Sequence, residues 1–119
     1  MTPDSATLQA ADALRNARRV SLACHLNPDG DALGATLGLA LALERSDREV
    51  VRLCQDAVPS AYGFMPGSDR VLTQPPHGWE PDVAVGLDCD TEPRLGSVAP
   101  FILNAPTVID IDHHTGSGP

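Results

Sequence analysis

Three polar clusters contain residue types that bind metal ions, and each follows directly after an apolar run. They are His25 with Asp29 and Asp31, then Asp88 with Asp90, then Asp112 with His113 and His114. Imidazole and carboxylate donors suit Mn, Mg, Zn or Fe, and the carboxylate majority favours Mn or Mg. So many acidic groups predict two ions about 3.5–4 Å apart, the usual arrangement for hydrolysing a phosphoester with an activated water.

The elements that would position these clusters can be read from the apolar pattern. Apolar runs at residues 20–24, 50–54, 83–87 and 107–111 predict four strands. A helical stripe follows Ser5, and residues 31–45 predict a helix buried on most faces, with Gly34 and Gly38 allowing close packing. A short helix near 61–65 and weaker helical or loop signals over 93–103 complete the pattern. Strands that alternate with helices predict an α/β fold with a mainly parallel sheet flanked by helices.

A parallel sheet would bring the three clusters together, because all strand carboxyl ends then lie at one edge. Each cluster also has a plain structural interpretation. Pro-Asp-Gly-Asp is a common turn, an Asp after a strand often caps a helix, and two adjacent His can simply be surface residues. Their shared position after successive strands favours a site over three separate accidents.

The composition of the chain argues against several classes of function. The chain has 16 acidic residues against eight Arg, no Lys and a net charge of −8, which argues against gripping long duplex nucleic acid. Cys24, Cys54 and Cys89 form no CxxC pair, so we expect reduced, mostly buried thiols. Neither a signal peptide nor a membrane span is visible, and the sequence predicts a cytoplasmic protein without a membrane partner.

The motifs HLNPDGDALGA, VGLDCD and VIDIDHH resemble the first three motifs of the DHH phosphoesterase superfamily (RecJ-like). This superfamily includes exonucleases, nanoRNases, cyclic dinucleotide phosphodiesterases and family II inorganic pyrophosphatases. Within it, HLNPDGDALGATLGL and MPGSDRVL look most like the branch of nanoRNases and adenosine 3′,5′-bisphosphate (pAp) phosphatases, the NrnA-like branch. The resemblance implies a Rossmann-like DHH domain and two divalent metal ions, most often Mn, with Mg as the alternative.

The resemblance also implies a role for individual residues. His25 and Asp29 would bind one ion and Asp31 the other, while Asp88 would bridge both. Of the third motif, His113 would bind the second ion, His114 would face the substrate phosphate, and Asp112 would orient a ligand imidazole. Arg94 would lie near the site.

Members of this superfamily continue past the third motif, with a further metal-binding Asp and a second, substrate-binding domain. Residues 1–119 would therefore be the N-terminal part of a DHH domain, cut before its end and lacking the C-terminal domain. We expect weak metal binding and negligible turnover from this part alone. An unfinished sheet edge would accept either the rest of the protein or a second copy, which would give a homodimer.

Three hypotheses follow. The first is a metal-dependent phosphoesterase acting on short single-stranded oligoribonucleotides or pAp, with a pyrophosphatase or a cyclic dinucleotide phosphodiesterase as the alternative within the superfamily. The second is an inactive module that binds metal or nucleotide. The third, a plain α/β domain without a site, predicts that Asp29→Ala and Asp88→Ala leave stability and metal content unchanged.

Overall fold

A computed structural model describes residues 5–87 and 92–111 of the chain. Its centre is a five-stranded, all-parallel sheet in the order β3-β2-β1-β4-β5. The strands are β1 Arg19–Cys24, β2 Glu49–Leu53, β3 Val71–Leu72, β4 Val83–Leu87 and β5 Thr107–Ile111. Every residue of β4 and all but the first of β1 are buried, as expected for strands covered on both faces. The predicted α/β fold with a parallel sheet is confirmed.

Helices cover both faces of the sheet. The α-helices are α1 Ser5–Asn16, α2 Gly30–Arg45 and α3 Ala99–Leu103, and 3-10 helices span Ser60–Tyr62, Ser68–Arg70 and Glu92–Val98. Residues from α1 and α2 pack on one face, against Leu22 and Val85. The other face carries α3 and the segment before it, packed against Ala23 and Ala84. Successive strand residues point to opposite faces, so the two layers form separate cores.

The helix α2 forms because apolar residues recur on one side and a side chain caps its start. Its buried residues are Ala32, Leu33, Thr36, Leu37, Ala40 and Leu43. The prediction of a helix buried on most faces is wrong, since the opposite side is exposed, with small residues in its middle and a charged residue near each end. Gly34 and Gly38 lie on that exposed side, and a Cβ on either would meet nothing within 4 Å. They therefore do not serve close packing against the described part of the chain.

One carboxylate aligns the amino ends of β1 and β4. Asp82 Oδ2 accepts hydrogen bonds from the backbone N–H groups of Arg18 (2.8 Å) and Arg19 (3.0 Å). Both bonds lower the pKa of Asp82 below its ordinary value, and the bond from Arg19 has the larger effect. The contact fixes the start of β4 beside the start of β1, and the register Val20↔Val83 to Cys24↔Leu87 follows.

Two features differ from the sequence prediction. The two-residue strand β3 was not predicted, and it extends the sheet beyond β2. Near residues 61–65 the chain forms a 3-10 turn at Ser60–Tyr62 rather than a regular helix. Within the described ranges, no helix is long and apolar enough to cross a membrane.

Candidate metal half-site

The carboxyl ends of three neighbouring strands are level with one another. Register pairs Cys24 with Leu87 across β1 and β4, and Leu87 with Ile111 across β4 and β5. In sequence, each of these three residues immediately precedes a predicted site residue. The last residues of three strands therefore form one row at one edge of the sheet, which is where open α/β sheets place their ligands.

His25 is the first residue after β1, and its side chain is only 5% exposed. Its Nδ1 lies 2.6 Å from the carbonyl oxygen of Leu26. A carbonyl oxygen can only accept, so Nδ1 carries the proton, and in the neutral ring Nε2 is the nitrogen with the lone pair. Metal-binding imidazoles are oriented in this way, by a hydrogen bond from the ring nitrogen that does not bind the metal.

Asp29 has two relationships in the same loop. Its Oδ1 accepts a hydrogen bond from the backbone N–H of Ala32 (2.9 Å) and so caps α2. The same oxygen lies 4.0 Å from Nε2 of His25, and the Asp29 side chain is 61% exposed. Two ligands each about 2.1 Å from one ion are separated by roughly 3–4 Å, depending on the angle between them. The pair lies at the upper end of this range, so the two side chains would have to adjust slightly to bind a single ion at ordinary angles.

The loop that carries this pair is hydrogen-bonded to the loops after β2 and β4. Leu26 donates its backbone N–H to the carbonyl oxygen of Arg94 (2.7 Å), and Asn27 donates its own to Oδ2 of Asp56 (2.7 Å). A third bond joins the other two loops, from the Ser97 N–H to Oε1 of Gln55 (2.9 Å). Three segments far apart in sequence thus hold one another at the edge where His25 lies.

Two backbone positions in these loops have left-handed geometry. Asn27 has φ 52°, a conformation that Asn tolerates better than most residues. Gly96 has φ 62° and ψ −136°, which is open in practice only to glycine, and a Cβ there would collide with the Gln55 side chain. The contact between the loops after β2 and β4 therefore depends on a glycine at position 96.

The two described cysteines lie beneath the loop. Cys24 and Cys54 are both buried and reduced, as predicted, whereas Cys89 falls outside the described residues. A hydrogen bond from the Cys24 side chain lowers the pKa of Cys54 below its ordinary value. Cys54 Sγ also lies 3.5 Å from the carbonyl oxygen of His25. The sulfur atoms support the backbone that carries the imidazole.

The other predicted site residues divide into two groups. Asp31 is exposed in the first turn of α2, where a negative charge also suits the helix dipole. Asp88, Asp90, Asp112, His113 and His114 lie outside the described residues. Within residues 5–87 and 92–111, no group of three or more His, Cys, Asp or Glu is placed to hold a metal ion. Of the predicted ligands, the described part of the chain brings together His25 and Asp29.

The sequence prediction missed Gln55 and Asp56, which hold the loops together. A signal was present, because both are polar residues placed directly after a predicted strand, as Asp88 is. Arg94 was expected near the site, and its backbone does lie against Leu26.

Comparison with known proteins agrees with this architecture. The model of the N-terminal domain of the DHH family matches residues 19–119. A crystal structure of an exopolyphosphatase-related protein from Bacteroides fragilis superposes with a TM-score of 0.80 at 26% sequence identity. The match covers 93% of this chain and 35% of that protein, so this chain spans about a third of its length. The chain therefore belongs to the DHH family, whose N-terminal domain it matches from residue 19 to residue 119.

Proposed function

We propose that this chain supplies the metal-binding part of a phosphoesterase that hydrolyses its substrate with a water activated by two divalent ions. The observation that carries the proposal is the pair of His25 and Asp29, with Nε2 and Oδ1 4.0 Å apart at the carboxyl edge of a parallel sheet. A buried imidazole whose other nitrogen is already hydrogen-bonded is suited to binding a metal rather than to general packing.

In this proposal His25 and Asp29 hold one ion and Asp31 the second, with Asp88 between the two and His113 as a further ligand. Ions bound there would supply a hydroxide at neutral pH and stabilise charge on the phosphate oxygens. His114 would contact the substrate phosphate, and Asp112 would orient an imidazole. Of these residues, His25 is held in place by the Leu26 carbonyl and Asp29 by the first turn of α2.

The substrate we propose is a short oligoribonucleotide or pAp. Support comes from the likeness of HLNPDGDALGATLGL and MPGSDRVL to the nanoRNase and pAp phosphatase branch, and from the net charge of −8, which disfavours long nucleic acid. A second candidate is hydrolysis of a phosphoanhydride, such as pyrophosphate or a longer polyphosphate. It is favoured by the related solved structure, which is described as exopolyphosphatase-related.

The test uses the product of the full coding sequence that contains this domain, and it measures release of inorganic phosphate from pAp and of nucleoside monophosphates from short RNA. Manganese-dependent activity on pAp and on RNA of two to four nucleotides is the expected result. Activity on pyrophosphate or polyphosphate alone would select the second candidate. Tight binding of manganese or a nucleotide without any hydrolysis would instead support the inactive module.

A pair of histidine variants makes this assay specific to the site. His25→Ala should abolish manganese-dependent turnover, whereas His77→Ala, at an exposed position, should leave it unchanged. Thermal unfolding without metal shows whether the His25 variant is still folded. A folded His25→Ala protein with full activity would contradict the proposed metal site.

A further inference from the structure

The segment between β2 and β3 presents an aromatic ring to solvent. Phe64 is 79% exposed, the highest value among the large hydrophobic side chains that the structure describes. The chain contains only four aromatic residues, and Trp79 and Tyr62 are both partly buried against the core. Single exposed hydrophobic side chains are common on protein surfaces, so the exposure of Phe64 matters only together with the place where its backbone is held.

The backbone around Phe64 is fixed by successive turns. Gly63 donates its N–H to the Ser60 carbonyl (3.1 Å), and Met65 donates its own to the Tyr62 carbonyl (3.1 Å). Ser68 Oγ then donates to the carbonyl of Gly63 (2.9 Å). Phe64 lies inside this set of bonds, so its backbone is ordered although its side chain is in water.

On one side the segment is attached to the metal half-site. The Tyr62 ring lies so close to Gly30 that a Cβ on that glycine would be 3.4 Å from Cε1. Gly30 is the residue after Asp29 and the first residue of α2. Phe64 follows Tyr62 by two residues, so its Cα is at most roughly 7 Å from that of Tyr62. The segment that carries the exposed ring therefore contacts α2 at the residue that follows Asp29.

On the other side the segment is attached to the sheet and to α2. Gly67 has φ 84°, and the buried Arg52 guanidinium of β2 lies against it. Arg52 Nη2 donates to Glu44 Oε1 (2.8 Å), and Arg70 Nη1 donates to Glu44 Oε2 (3.2 Å). One carboxylate of α2 thus holds β2 and the end of the segment together. The segment that carries Phe64 is therefore held at both ends by contacts with α2 and β2.

We propose that Phe64 is a stacking platform for a base of the nucleotide substrate. The inference rests on the proposed function, because it takes the phosphate of the same substrate to lie at the metal half-site. An aromatic face accepts any base and needs no hydrogen-bond pattern, which suits an enzyme that degrades short strands of varied sequence. Holding the ring in advance on an ordered backbone lowers the entropic cost of stacking.

A protein partner is the competing occupant, and the surroundings of Phe64 favour the base. Protein interfaces bury roughly 800 Å² on each side around several hydrophobic anchors. Among the other exposed large hydrophobic side chains, Leu8 belongs to α1 and Val108 and Ile111 to β5, at the far edge of the sheet. Phe101 and Leu103 belong to α3 on the opposite layer. Leu72 belongs to β3, so Phe64 is the one exposed large hydrophobic side chain in the described segment between β2 and β3.

The test compares substrates with and without a base, using the product of the full coding sequence. The measured quantity is the ratio of kcat/KM for pAp to kcat/KM for the same sugar bisphosphate lacking adenine. We expect Phe64→Ala to lower this ratio about tenfold and Phe64→Trp to preserve it, since any large aromatic face can stack. Phe101→Ala is the matched control, and it should leave the ratio unchanged.

The outcomes separate this inference from the proposed function. Hydrolysis of pAp with an unchanged ratio in Phe64→Ala would overturn the stacking role while leaving the phosphoesterase intact. If no substrate is hydrolysed, calorimetry with manganese decides the point: Phe64→Ala should remove a preference for adenosine monophosphate over ribose 5-phosphate. The absence of that preference in the unaltered protein would also overturn the stacking role. A loss of protein association in Phe64→Ala, with the ratio unchanged, would assign the ring to a partner instead.

Discussion

Oδ1 of Asp29 accepts the N–H of Ala32 at 2.9 Å while lying 4.0 Å from Nε2 of His25. One carboxylate therefore both starts α2 and faces the buried imidazole. The capping bond is local, so the position of Asp29 is determined by the formation of the first helical turn. The cap and the proposed ligand are consequently two roles of one side chain, and they can be separated by substitution.

Asp29→Asn should separate these roles. Asn caps helices about as well as Asp, so we expect the free energy of unfolding without metal to change little. Asp29→Ala should lower it by about 1 kcal/mol, because the Ala32 N–H loses its acceptor. Both variants should bind manganese at least tenfold more weakly, since both lack the carboxylate. Chemical denaturation and calorimetry measure the two effects, and unchanged manganese affinity in Asp29→Asn would remove Asp29 from the ligand set.

The ion pairs of Glu44 lead to a prediction about stability. The Arg52 side chain is 1% exposed and that of Glu44 27%, so loss of the carboxylate leaves a buried guanidinium charge unpaired. We expect Glu44→Ala to cost about 3 kcal/mol in unfolding free energy. Arg70→Ala removes a partner of the same carboxylate, but one whose side chain is 61% exposed, and should cost less than about 1 kcal/mol. Equal losses in the two variants would show that burial of Arg52 does not govern this cluster.

Glu44 also predicts how stability depends on pH. Its hydrogen bond from Arg52, more than any other contact, lowers the pKa of Glu44 below the ordinary value of 4.5. A carboxylate with a lowered folded-state pKa stabilises the protein fully above its unfolded-state pKa, and this contribution is lost as pH falls through the folded-state pKa. The melting temperature should therefore fall on acidification below 4.5. In Glu44→Gln the slope should be shallower, and a slope identical to that of the unaltered protein would refute the assignment.

Two glycines predict opposite effects of the same substitution. Gly96→Ala should destabilise the fold by roughly 1–3 kcal/mol, because the backbone conformation excludes a Cβ and Gln55 occupies its place. Gly34→Ala, in the exposed middle of α2, should stabilise by about 0.5–1 kcal/mol, since alanine is the better helix former and nothing lies within 4 Å. Urea denaturation of both variants measures the difference. A stabilised Gly96→Ala would mean that the contact between the loops after β2 and β4 is dispensable.

The strands were predictable where sequence alone determines their environment. Residues 83–87 are continuously apolar, which is typical of a strand buried on both faces, and β4 spans Val83–Leu87. The two-residue β3 could not be read from Val71 and Leu72, because two residues show no periodicity. The length of α2 was predictable, but the exposure of Gly34 and Gly38 was not, since small residues are compatible with either face of a helix.

The location of the candidate residues was predictable, but their contacts were not. His25 and Asp29 could be chosen because donor residues follow a strand, and the parallel sheet does place them at the expected edge. That Asp29 also caps α2 was only one of several outcomes that an Asp after a strand allows. The bonds of Asp56 to Asn27 and of Gln55 to Ser97 join segments 29 and 42 residues apart, and no local pattern encodes them.

The central position of β1 has a consequence for the order of folding. Its two neighbours come from distant segments, with Val20 paired to Val50 on one side and to Val83 on the other. Such non-local pairings form slowly, because the chain between two strands must lose the entropy of an open loop before the strands make any contact. The contact of His25 with Asp29 spans only four residues and needs no such closure. Substitutions in β4 can therefore delay completion of the sheet edge without touching either side chain.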